Sequence, residues 1–152
     1  MRVPQLTDFA DSIFLQEHCF SYGGTEELGE RRVFKLNFTP ANRVETPDVE
    51  GSISIDTLDY SVREAVFRMT RPEALYPPIL GLEVRTFYKE IAPGLPLFDL
   101  IRATQPLPKA QPYESPRVVV EEQKLIRVVF VRDTPNGISE FAIPLMRQDK
   151  DR

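Results

Sequence analysis

Arg32-Val-Phe-Lys-Leu-Asn-Phe-Thr39, Val49-Glu-Gly-Ser-Ile-Ser-Ile55 and Tyr60-Ser-Val-Arg-Glu-Ala-Val-Phe-Arg-Met69 are the segments whose pattern decides the fold. In the first, Phe34, Leu36 and Phe38 fall on one side, with Lys35 and Asn37 on the other. In the second, Ile53 and Ile55 oppose Ser52 and Ser54. Alternation with a period of two marks a strand with one face buried and one face wet. Asp56-Thr-Leu-Asp59 lies between the second and third segments and has the length and chemistry of a hairpin loop. The third segment is less regular: Val62 and Val66 share a phase with Glu64, against Ala65, Phe67 and Met69. A bulge, or a strand covered on both sides, produces such a pattern.

Outward from this centre the chain is punctuated as a β protein. Leu6, Phe9, Ala10, Ile13 and Phe14 recur at helical spacing, predicting a short amphipathic helix over residues 6–17 with Thr7 as its candidate cap. His18-Cys-Phe-Ser-Tyr22 reads as a strand stopped by Gly23-Gly24, followed by an acidic loop over residues 25–30. Residues 71–78 form a loop or at most one helical turn, and residues 82–91 and 97–103 are strands around the turn Pro93-Gly-Leu-Pro96. Prolines 106, 108, 112 and 116 make residues 105–116 an extended surface connection. Residues 117–121 and 124–132 are β-prone, and Thr134-Pro-Asn-Gly137 turns the latter strand into residues 138–145. The expected class is mainly β: a strongly curved or partly closed antiparallel sheet of eight or nine strands with one short N-terminal helix.

Composition bounds the function. A chain of 152 residues suits one β domain, and 41% hydrophobic residues can supply its core. The net charge of −4 and the absence of a basic run argue against nucleic acid as a partner. No apolar run approaches the roughly 18 residues of a membrane span, and Met1-Arg-Val-Pro-Gln-Leu-Thr-Asp8 lacks the apolar core of a signal peptide. Cys19 is the single cysteine, which rules out an internal disulfide.

The candidate chemistry is sparse. His18 and Cys19 are the one adjacent base and nucleophile, but neighbours on a strand point to opposite faces, so a hydrolase built on them is the less favoured reading. Cys19 is expected to be a small buried thiol. Asp48, Glu50, Asp56 and Asp59 gather acidity without a full oxygen cage, so turn chemistry explains them better than a metal does. Arg63, Arg68, Arg71 and Arg85 could line an anion patch if their strands pair; a solvated face is the simpler reading. No metal or cofactor is expected.

The strings Phe14-Leu-Gln-Glu-His-Cys-Phe20, Val33-Phe-Lys-Leu-Asn-Phe-Thr-Pro40, Ile53-Ser-Ile-Asp56 and Val62-Arg-Glu-Ala-Val-Phe67 look like part of bacterial envelope proteins that carry a carboxypeptidase-regulatory-like domain. The strand–aspartate–turn–strand pattern is also similar to the lipoprotein-carrier fold of outer-membrane lipoprotein sorting. The resemblance spans residues 13–103, and residues 105–152 have no counterpart in it. It implies a non-enzymatic, periplasmic or cell-envelope domain, the C-terminal part of a longer precursor, that binds an apolar ligand or an envelope protein on its sheet. The apolar face of Phe34, Leu36, Phe38, Ile53, Ile55 and Phe67 is the expected binding surface. An interaction module that recruits a partner chain through its sheet edges is the alternative.

Overall fold

The computed structural model describes residues 6–41, 46–76, 79–92, 94–109, 115, 117–134 and 137–141. Among the described residues nine strands follow in chain order: β1 (His18–Leu28), β2 (Arg31–Pro40), β3 (Val49–Asp56), β4 (Val62–Met69), β5 (Glu83–Ala92), β6 (Leu95–Leu107), β7 (Arg117–Lys124), β8 (Phe130–Thr134) and β9 (Gly137–Phe141). The first seven form one antiparallel meander in which every strand pairs with its neighbour in sequence. The sheet curls but does not close, leaving β1 and β7 as its edges. Strands β8 and β9 pair separately, with Thr134 opposite Gly137; Pro135 and Asn136 of the expected turn, and residues 142–145 of the expected last strand, lie outside the described residues. The β-prone residues 124–132 are therefore not one strand, because residues 125–129 are irregular.

The expected N-terminal helix is two pieces, a 3-10 turn at Leu6–Ala10 and the α-helix α1 at Ser12–Glu17. Its cap is Asp11 rather than Thr7: the Asp11 carboxylate accepts from the backbone N–H groups of Ile13 and Phe14. The break rotates Ile13 out to solvent, at 64% exposure, while Phe9 and Phe14 turn onto the sheet. Gly23-Gly24 does not end β1. The strand absorbs the glycines in a register shift between Tyr22 and Thr25, with Gly24 at positive φ, and runs on through the acidic residues to Leu28.

Register places the apolar residues on one face. Phe20 pairs with Phe38, Leu36 with Ile53, Phe34 with Ile55 and Ile53 with Ala65. A second register shift, between Ser54 and Ile55, explains the irregular third segment. It moves Val62 out of phase with Glu64 and into the apolar cluster. The core is Phe38, Val49, Ile53, Ala65 and Phe67, capped by Phe9 and Phe14. Phe9 stacks on Phe67 at 5.5 Å between ring centroids and meets Phe38 edge-on at the same distance. Such aromatic contacts add about 0.5–1.5 kcal/mol each beyond the area they bury.

Gly51 makes this arrangement possible. It sits opposite Phe38 on one side and Phe67 on the other, and the two rings meet 5.7 Å apart. A Cβ at Gly51 would come within 1.8 Å of the Val66 carbonyl oxygen. Close approach of β4 to β3 at this point requires glycine.

Candidate functional site

The six residues expected to bind a ligand share one face, but they divide. Phe38, Ile53 and Phe67 are sealed, at 1%, 5% and 2% exposure, under Phe9 and Phe14. Phe34, Leu36 and Ile55 are half-buried, and Ile55 packs against the sealed cluster. Tyr22, 66% exposed, lies against Phe34.

His18 and Cys19 diverge as strand geometry requires. The His18 side chain is 2% exposed and its ring stacks on Phe14 at 4.0 Å. Nδ1 lies 3.0 Å from the carbonyl oxygen of Phe14, within α1, and Nε2 lies 3.0 Å from that of Val49, at the start of β3. A neutral imidazole has one N–H and donates to one of these acceptors; an imidazolium donates to both. Asp48 Oδ1 is 3.7 Å from Nε2. The ring thus ties the N-terminal segment to the sheet. Cys19 is exposed, contrary to the buried thiol expected. It lies on the edge strand β1 and points to the face that the N-terminal segment leaves uncovered.

The opposite face of the sheet is polar and carries an open cleft of about 360 Å³. Strands β4 and β5 do pair there, bringing Arg68 and Arg85 together in the cleft. Their charges are spent locally: Arg85 donates to Glu64 at 3.2 Å, Arg68 to Glu83 at 2.7 Å, and Lys35 to Glu26 at 3.1 Å. A cleft lined by paired charges presents no net positive field for an anion. Arg63 is directed elsewhere, into the β3–β4 turn.

That turn is built around Asp56, whose side chain is 1% exposed. Its carboxylate accepts from the Leu58 N–H at 2.9 Å, from Arg31 at 3.0 Å and from Arg63 at 3.1 Å. The Leu58 N–H first, and the Arg63 guanidinium after it, hold Asp56 below the usual carboxylate range against the opposing effect of burial. Asp59 is lowered too, chiefly by the Ser61 hydroxyl and N–H, with Arg63 assisting. Among the described residues no three His, Cys, Asp or Glu side chains converge as a metal site.

The feature not singled out from the sequence lies at the far edge. Every residue of β7 is exposed, and Val118, Val119 and Val120 are 57%, 48% and 52% exposed. The strand pairs in unbroken register with β6 on one side, and no described strand pairs on the other. The available signal was the uninterrupted Val-Val-Val: three β-branched residues without alternation give a strand whose two faces are equally apolar. Comparison with protein-family models, with curated proteins and with solved structures finds no match for this chain.

Proposed function

We propose that this protein is a non-catalytic interaction module that recruits an extended polypeptide segment along the outer edge of β7. One observation carries the reading: every residue of β7 is exposed, the strand pairs in unbroken register with β6, and no described strand pairs with its other edge, beside Val118, Val119 and Val120. Exposed edges of this kind bind by adding a strand, with main-chain hydrogen bonds supplying affinity and alternate side chains supplying selectivity. Glu121 and Glu122 follow the valines, so the fitting segment is apolar over one part and basic over the next. Assignment to the bacterial cell envelope rests on the sequence resemblance.

The test is nuclear magnetic resonance titration with a synthetic extended peptide of valines followed by lysines. Saturable shift changes confined to residues 117–124 are expected. Val119→Pro and Val120→Pro are each made, since one of them removes an outward-facing N–H, and one of the two should abolish binding. Changes confined to β1, or none, would defeat the reading.

A second reading, binding of an apolar ligand on the sheet face, is favoured by the half-buried Phe34, Leu36 and Ile55 beside exposed Tyr22. An environment-sensitive apolar dye that saturates, and is lost in Leu36→Glu, would support that surface instead.

A further inference from the structure

We propose that the segment taken by β7 is β7 of a second copy of this chain, paired antiparallel about a twofold axis through Val119; this rests on the reading of β7 as a recruiting edge. The two edges of the sheet are not equivalent. On β1 the register shift at Tyr22 and Thr25 and the glycine pair disrupt the edge, as protected edges commonly do. β7 has no shift, no glycine and no proline over Arg117–Lys124.

Symmetry restricts how β7 can meet itself. In a continuous antiparallel sheet, residues directly opposite must lie on the same face, and a twofold axis normal to the sheet then sets one residue opposite its own copy. Centred on Val120, the pairing places Val119 against Glu121 and Val118 against Glu122. Centred on Glu121, it opposes two like charges and sets Val120 against Glu122. Centred on Val119, it opposes Val119 to Val119, Val118 to Val120 and Arg117 to Glu121, the last two pairs occurring twice. The last register alone joins valine to valine on both faces and closes each end with opposite charges. The result is an isologous contact that continues the sheet across two copies.

Sedimentation equilibrium of the full chain over a wide concentration range is the first measurement, with a rise from 17.5 kDa to twice that mass expected. Glu121→Arg opposes like charges at two symmetric positions and should weaken association by about tenfold or more; adding Arg117→Glu should restore it. Register is tested by Val119→Cys in a Cys19→Ala background, because opposed residues on paired strands lie within disulfide reach. Oxidation should link the two copies at residue 119, and Val120→Cys in the same background should link far less. Because β7 is exposed along its whole length, these variants leave the core untouched. A monomer at every concentration would overturn the proposal, as would a dimer that cross-links better at residue 120. If the chain stays monomeric while the valine–lysine peptide still shifts residues 117–124, the second copy is excluded and the edge-recruiting reading survives. If neither occurs, both fall.

Discussion

Tyr60 and Gly51 show how much single residues decide in this sheet. Tyr60 ends the β3–β4 turn with φ of 57°, in the left-handed region, and its side chain is 72% exposed. A non-glycine residue pays roughly 1–2 kcal/mol for that conformation, while glycine loses about 0.5–1 kcal/mol in unfolded-state entropy. Tyr60→Gly should therefore raise stability by about 0.5 kcal/mol in urea unfolding; a clear loss would mean that the Tyr60 ring makes a contact that matters. Gly51→Ala should act in the other direction. Its Cβ would be driven into the Val66 carbonyl oxygen, which is backbone and cannot swing aside. A loss of about 2–3 kcal/mol is expected, by analogy with overpacked cores. The glycine stands in the sequence inside the second strand segment, Val49 to Ile55. The reason for it is not legible there, because the Val66 carbonyl lies fifteen positions away and meets it only through β3–β4 pairing.

Among elements, the N-terminal segment and β1 carry the clearest consequences. The 3-10 turn and α1 contribute one half-buried side chain apiece to the aromatic cluster, Phe9 and Phe14, and His18 anchors them to β3. Phe9→Ala removes the ring that bridges Phe38 and Phe67 and should cost about 3 kcal/mol. Thermal unfolding with matched urea titration would measure it, and a change below about 1 kcal/mol would show that the segment is only loosely attached. Helical spacing correctly placed Phe9 and Phe14 on the buried side but put Ile13 there as well, since spacing assumes one continuous helix and Asp11 breaks it in two. For Cys19, alternation gave the divergence from His18 and missed the exposure. On an edge strand with one covered face, a strand residue is buried or bare according to parity alone. Cys19 should react rapidly with a thiol reagent in the native state, and Cys19→Ala should change stability by no more than about 0.5 kcal/mol. Slow labelling would contradict its placement.

For the whole molecule, the response to acid follows from the β3–β4 turn. Asp56 and Asp59 are both lowered in the folded protein relative to their ordinary values near 3.8. Groups with depressed folded values bind protons more readily when unfolded. Their stabilisation is complete above the unfolded value and is lost as pH falls from about 4 through the lower folded values. Urea midpoints should stay flat with respect to these two groups above about pH 5 and fall below about pH 4, and Asp56→Asn should flatten that fall while lowering stability throughout. An acid limb unchanged in Asp56→Asn would assign the effect elsewhere.

The sequence by itself determined the β class, the hairpin at Asp56–Asp59 and the face on which Phe34, Leu36, Phe38, Ile53, Ile55 and Phe67 sit. These follow from local alternation and turn chemistry, which act over a few residues. Only the tertiary structure decided that three of those six are sealed and three are half-open, that Arg68 and Arg85 are neutralised by partners on neighbouring strands, and that no described strand pairs with the outer edge of β7. Each of these depends on which strand lies beside which and on where the covering layer stops. Burial and edge exposure are properties of the assembled sheet, and alternation along one strand carries no information about whether a second layer or another strand comes to meet it.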